Sequence, residues 1–397
     1  MIEMKRQLKI VITSLPKWSY FQWFLLGFYK LQRQGDLNIV FKLPLVDRLS
    51  LYIDNYYLFG VGQRYYSGKD SFCLEGYLES GGIKKRFCID HQDSPYLFDS
   101  KQLQDVDLYF KMQCPKEFDK KGFRLNDDVW IPWTDHAHVD SELAVSMRGP
   151  RKPCLNLFEN INKIRPLMIG PRHLGYGNGY KALNKGLVNY MMSQSNPAEK
   201  TLMCYFGSSL GPKPSQDICD DSPIDYNWES DLMARFTQLG HPNEKRSRAT
   251  KILQQLGANY DGRLIRDGYA DGSAGIVHKE QIVPLENFCE HISHFKYNLN
   301  ISGYRLSIPN RFIESFMVGT AIVTDKLAVK WYKPFDREVF ETVEMGYLSD
   351  DKVDWERFQF DIDHLPKVDK EDVCKAFDEK WEPSKVASYM IDELLNS

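Results

Sequence analysis

No stretch of 18 or more uninterrupted apolar residues occurs in this 397-residue chain, so a membrane-spanning helix is not expected. The best apolar candidate, WSYFQWFLLGFYKLQ over 18–32, is too short to span a bilayer and lacks a signal-peptide cleavage site. It reads as a buried helix; its aromatic content leaves contact with a membrane surface as the alternative. Basic charge is not in excess. The formal charge of −3 supplies no field for a polyanion, which argues against nucleic acid as the main partner. None of the eight cysteines, at 73, 88, 114, 154, 204, 219, 289 and 374, forms a Cys-x-x-Cys pair. A chain this large needs no covalent staples, so reduced thiols in a cytoplasmic protein are expected. Internal repeats and low-complexity segments are also missing. With 43% apolar and 26% charged residues the composition is globular rather than disordered, and the length points to two domains.

What is present is alternation. QLKIVITSLP (7–16) predicts a first strand, 18–33 a helix and LNIVFKLP (37–44) a second strand, a βαβ opening that implies a parallel pair. Further strands are predicted at 86–91 and 106–113. From about 114 to 180 Pro, Gly, Trp and charged residues break the pattern. A second series then runs through a strand at 200–209, a helix at 243–257, a strand at 260–266, a helix at 284–295, a strand at 296–302, a helix at 309–318 and a strand at 320–325. The amphipathic helix 383–396 closes the chain. The expected fold class is α/β: two Rossmann-like domains facing each other across a cleft. Boundaries are placed at 1–185, 186–380 and a C-terminal helical segment 381–397 that packs back on the first domain.

The stretch GYRLSIPNRFIESFMVGTAIVTD (303–325) carries the most chemistry. Pro309 suits a first helical turn. Arg311 and Glu314, three apart, share a helix face, while Phe312 and Phe316 point towards the core. A helix N-terminus and a guanidinium fork suit a diphosphate, and a carboxylate one turn deeper can accept from two ribose hydroxyls. The competing account is an Arg–Glu pair on a solvated face. CYFGSSLG (204–211) ends a strand in small residues, so Gly207 and Ser208 would let backbone approach a phosphate. HPNEKRSR (241–248) adds Lys245, Arg246 and Arg248 at a helix start, either as solvated surface or with Arg246 or Arg248 reaching the diphosphate.

FKYNLNISGYRLSIPNRFIESFMVGTAIVTD (295–325) resembles the nucleotide-sugar half of exostosin-like and related GT-B glycosyltransferases. Ser307, Arg311, Phe312, Glu314, Gly319 and Val323 occupy matching positions, and the likeness covers roughly residues 200–335. The chain lacks that family's cysteines and has Gly319-Thr320-Ala321-Ile322 at the turn where the family carries Gly-Cys-x-Pro. The resemblance implies a GT-B transferase, with Arg311 on the donor diphosphate and Glu314 on the ribose. It favours UDP over GDP, a saccharide or lipid-linked glycan as acceptor, no cofactor and no metal. Membrane contact would be peripheral at most, at an inner membrane face.

An inverting GT-B enzyme needs a base in its first domain to take the acceptor proton. CIDHQDSPYLFD (88–99) offers Asp90, His91 and Asp93 at the carboxyl end of a strand, or else a turn that satisfies local backbone groups. WTDHAHVDSE (133–142) puts His136, His138 and Asp140 on one face of an extended strand, which suits an acceptor-contacting loop or a metal. GYGNGYKA within 168–186 has neither the Gly-Lys-Ser/Thr of a phosphate-binding loop nor the strand context of a dinucleotide fingerprint. It reads as an interdomain segment that brings Arg172, His173 and Tyr176 near the cleft, where Arg172 and His173 meet the acceptor. The Asp-x-Asp triplets at 105–107 and 361–363 do not end strands as a metal–diphosphate motif requires. The alternatives are a metal-dependent GT-A-type transferase and a non-catalytic sugar-nucleotide or glycan-binding protein.

Overall fold

A computed structural model describes residues 8–15, 18–43, 73–91, 95, 97–119, 122–124, 130–132, 134–135, 157–171, 197–207, 242–265, 276–277, 285–303, 307–350 and 352–397. The fold is α/β, built on two six-stranded sheets.

The first sheet contains β1 (Leu8–Ser14), β2 (Leu37–Phe41), β3 (Cys73–Ser80), β4 (Ile83–Asp90), β5 (Leu108–Lys111) and β6 (Ile164–Pro166), in the order β6-β5-β4-β3-β1-β2. The helix α1 (Trp18–Gln34) carries the chain from β1 to β2, which pair in parallel as the βαβ pattern predicts. Ile10, Val11 and Ile12 are all buried, as expected of an interior strand covered on both faces. β3 is antiparallel to both its neighbours. It is joined to β4 by Gly81 and Gly82, both at positive φ, the geometry a two-residue hairpin turn demands. This hairpin, absent from the sequence-based expectation, is where the first sheet departs from a doubly wound pattern.

Phe21, Trp23, Phe24, Leu25, Leu26 and Phe28 of α1 are all fully buried. This stretch of α1 is therefore part of the core, as its apolar run predicts. No helix among the described residues is long and apolar enough to cross a membrane.

The second sheet contains β7 (Lys200–Gly207), β8 (Tyr260–Ile265), β9 (Ile276–Val277), β10 (Phe295–Asn300), β11 (Ala321–Thr324) and β12 (Thr342–Glu344). Every pairing in it is parallel, and the order is β9-β8-β7-β10-β11-β12. Counted from β7 this is 3-2-1-4-5-6, the order of a dinucleotide-binding sheet, and it reverses between β7 and β10. The crossovers include α2 (Pro242–Gln255), α3 (Leu285–Ser293) and α4 (Arg311–Met317). Gly262 lets α2 lie close on β8, since a Cβ there would come within 2.5 Å of the Thr250 carbonyl. The chain ends in α5 (Trp355–Asp363), α6 (Lys370–Lys380) and α7 (Pro383–Asn396).

Several contacts join the parts. α7 lies against α1, and Trp23 Nε1 donates to the Trp381 carbonyl at 3.1 Å. Trp381 in turn stacks on Phe316 of α4, with centroids 4.7 Å apart. Cys114–Pro115 pairs antiparallel with Val329–Lys330. The amide of Gln113 exchanges two hydrogen bonds with the backbone of Ile308, at 2.9 and 3.0 Å. Asn310 donates from its side chain to the Gly170 carbonyl.

Candidate active site

In an open parallel sheet, ligands bind beyond the carboxyl ends of the strands where the order reverses. Here that point lies past Phe206 of β7 and Asn300 of β10. Two arginines converge on it from different crossovers. Arg311 of α4 donates from Nη1 to the Tyr205 carbonyl at 2.8 Å and from Nη2 to Asn300 Oδ1 at 3.3 Å. Arg246 of α2 donates from Nε and Nη2 to the Ile301 carbonyl, at 3.0 and 2.7 Å. Both guanidinium carbons lie 5.7 Å from the centre of the Phe206 ring. The carbonyl bonds fix the plane and direction of each fork, and a fork held in place is suited to phosphate oxygens.

Of the basic cluster at the start of α2, Lys245 and Arg246 turn inward and Arg248 is exposed. Lys245 donates to the Leu348 carbonyl at 3.0 Å. Gly207 ends β7, opposite Ile265 in register. Ser307 is half-buried just ahead of α4. Glu314 is only 5% exposed, so the solvated Arg–Glu face weighed from sequence is not what forms. Phe312 and Phe316 enter an aromatic cluster with Trp331, Phe335 and Trp381, as their spacing predicts.

Sequence reasoning missed the polar groups that complete this end of the sheet. Asn300 Nδ2 donates to Thr324 Oγ1 at 3.1 Å, tying the tip of β10 to that of β11. Asp325, buried, accepts from the Ser302 N–H and hydroxyl at 2.9 Å each, and from the Thr324 hydroxyl at 3.1 Å. Burial pushes its carboxyl above the usual range. The bonds from Ser302 and Thr324 and the nearby Arg246 oppose that shift without cancelling it. Each of these residues ends or follows a parallel strand, and that position was the available signal.

At the carboxyl end of β4, Asp90 is fully buried. It accepts from Lys111 Nζ at 2.9 Å and the Tyr109 hydroxyl at 2.8 Å, and Lys111 is equally buried. Burial, then the charge on Asp90, raises the Tyr109 hydroxyl well above its ordinary value, which keeps it a donor. His91 is buried with its ring 5.5 Å from Phe21. Thus Asp90 serves as one half of an internal ion pair. Asp93, Ser208, His136, His138, Asp140, Arg172, His173 and Tyr176 lie outside the described residues. Among the described residues, no group of three or more His, Cys, Asp or Glu side chains could hold a metal ion. Asp107 accepts from the Arg86 N–H at 2.6 Å, and Asp361 and Asp363 of α5 accept from the Tyr347 and Tyr260 hydroxyls at 2.9 and 2.6 Å. Neither Asp-x-Asp triplet ends a strand.

No family model and no curated protein sequence matches the chain. Among solved structures, one similar chain is WaaG, a glycosyltransferase involved in lipopolysaccharide biosynthesis. It is 10% identical, the match covers 97% of this chain and 98% of that one, and the TM-score is 0.35. A score of that size assigns no activity.

Proposed function

We propose that this protein is a GT-B-type glycosyltransferase that moves a sugar from a nucleotide diphosphate donor to a saccharide or lipid-linked glycan acceptor. The observation that carries this reading is the pair Arg246 and Arg311, brought to Phe206 where the second sheet reverses its strand order. A diphosphate leaving group develops charge as its bond to the sugar breaks, and fixed guanidinium forks favour that charge without reorganising. Ser307 precedes the helix that carries Arg311, Glu314 lies within it, and Glu314 is assigned to the ribose hydroxyls. The preference for UDP over GDP and the metal-independent mechanism rest on the resemblance, and the inverting course on the Asp90, His91 and Asp93 cluster read from the sequence.

In that course the acceptor oxygen attacks the anomeric carbon, the bond to the diphosphate breaks, and the acceptor proton passes to a base on the first domain. Asp90 is engaged by Lys111 and Tyr109, so the base is assigned to His91 or Asp93, with Asp90 setting the strand end that carries them. The same engagement of Asp90 favours a second reading, a sugar-nucleotide-binding protein without turnover. His91→Ala and Asp93→Ala separate the two: a transferase loses turnover and keeps donor binding, whereas a binding protein is unaffected in its function. Loss of activity in EDTA with recovery on adding metal would instead support a metal-dependent transferase.

The test of the donor site is calorimetric titration of UDP and GDP, in EDTA, into wild type, Arg246→Met and Arg248→Met. One nucleotide should bind, and Arg246→Met should weaken it by about 1–3 kcal/mol through loss of charged hydrogen bonds. The exposed Arg248→Met should match wild type. Absence of binding, or equal losses in both variants, would remove the support for this reading.

A further inference from the structure

We propose that Gln113, which belongs to the first half of the chain, is a positioning residue for the nucleotide site. The inference rests on the donor-site reading above and adds a residue to it from the other side of the molecule. Gln113 is fully buried. Its Nε2 donates to the Ile308 carbonyl at 2.9 Å, and its Oε1 accepts from the Ile308 N–H at 3.0 Å. The side-chain amide thus satisfies both backbone groups of one residue, as a neighbouring strand would. Two residues on, the side chain of Asn310 reaches the Gly170 carbonyl. The first turn of α4 is built on the residues so held: the Phe312 N–H donates to the Pro309 carbonyl and the Glu314 N–H to the Asn310 carbonyl, both at 3.1 Å. Clamping 308 and 310 therefore sets the direction from which Arg311 meets Tyr205 and Asn300.

The clamp itself is firmly mounted. Lys111 is locked to Asp90, the Met112 N–H donates to the Asp90 carbonyl at 3.1 Å, and Cys114–Pro115 bridges to Val329–Lys330. Gln113 lies between these two anchors. An amide buried there is costly unless both its ends are paired. Plain adhesion between the halves would be served better by an apolar side chain; the amide specifies one placement of the loop.

The experiment compares wild type, Gln113→Met and Lys116→Met in the full-length protein, by UDP titration and by amide hydrogen exchange over 307–310. Gln113→Met keeps the volume and loses both bonds. Lys116→Met removes a different contact made by the same segment, the 3.0 Å pair with Glu344, and does not touch the loop. Gln113→Met should weaken UDP binding by about tenfold to a hundredfold, the scale of a small misplacement of a binding group. It should also speed exchange at 307–310, with Lys116→Met unchanged in both. If Gln113→Met does not fold, Gln113→Asn takes its place with the same two readouts; it keeps an amide but, one methylene shorter, no longer reaches both Ile308 groups. Wild-type affinity and exchange in the Gln113 variant overturn the inference alone, as do equal losses in Lys116→Met. A wild type that binds neither UDP nor GDP overturns the function reading, and this inference with it.

Discussion

Asp90 and Lys111 bring two charges out of water at the end of a buried strand pair, and each offsets much of the other's desolvation. Asp90→Asn should therefore cost about 3–5 kcal/mol in urea unfolding, since it removes the charge opposite the buried Lys111 ammonium. Adding Lys111→Met should recover most of that loss. A single variant as stable as wild type, or a double variant no better than the single, would show that the pair is not coupled. Glu314 allows a sharper test of chemistry. If it holds the ribose, Glu314→Gln weakens UDP by about 1–3 kcal/mol and has no effect on 2′,3′-dideoxy-UDP, and calorimetry with both nucleotides decides this. At this scale the sequence was half legible. Arg246 and Arg248 are two apart on a helix, so they point to opposite sides and only one can face the sheet. The motif could not say which. The choice was made by the Ile301 carbonyl and the Phe206 ring, some 40 to 55 residues away in sequence. The role of Asp90 was hidden for the same reason, because its partner lies 21 residues on, in another strand.

Elements are set close together here by glycines whose missing Cβ is the contact. At Gly27 of α1, a Cβ would sit 2.1 Å from the Pro383 carbonyl oxygen and 2.9 Å from the Ala387 Cβ of α7. Helix propensity alone makes Gly27→Ala stabilising by about 1 kcal/mol. Overpacking predicts the opposite sign, a loss of about 1–3 kcal/mol as α7 is pushed off α1. Urea unfolding reads the sign directly, and a stabilised variant would mean that the two helices do not meet this closely. Gly319 adds a second constraint, since its φ of +76° suits few other residues and its Cβ would meet Lys370 at 2.4 Å. The four central strands of the second sheet and the helices between them were legible because their periodicity is strong and their ends are punctuated, whereas the short edge strands β9 and β12 were not inferred, being two and three residues long. The β3–β4 hairpin was not inferred, although Gly81-Gly82 between two half-apolar runs is a turn signal in its own right. Its strands carry charge at Glu75, Glu79, Lys84, Lys85 and Arg86, which blurs the alternation that would have marked them.

Across the whole molecule, the alternation of elements gave two α/β series, yet alternation does not fix strand order, and the order is what creates the site. The reversal between β7 and β10 follows from which crossover turns which way, and no local residue pattern encodes that. The same arrangement places carboxyls in the interior, with a consequence for stability. Burial raises Asp325 above its ordinary 3.8 and Glu341 above its ordinary 4.5, against hydrogen bonds that pull the other way. A carboxyl raised on folding binds its proton more tightly in the native state. Its contribution is complete below the ordinary value and is lost as pH rises through the native one. Asp261 works in the opposite sense: burial raises it, but His291 and Arg263 more than offset that. Its contribution is present at neutral pH and lost as pH falls through its lowered value. Above the ordinary carboxyl values the first two groups should set the slope, because Asp261, lowered below its ordinary value, has finished titrating there. Stability measured by urea unfolding should then decline as pH rises from the ordinary carboxyl values through the raised native ones. In Asp325→Asn the decline should be shallower, whatever the variant's absolute stability. A slope unchanged by that substitution would mean that Asp325 is ionised throughout, held so by Ser302, Thr324 and Arg246. The carboxyl end of the second sheet would then carry a fixed negative charge near Arg246, a charge that would oppose the binding of a diphosphate there.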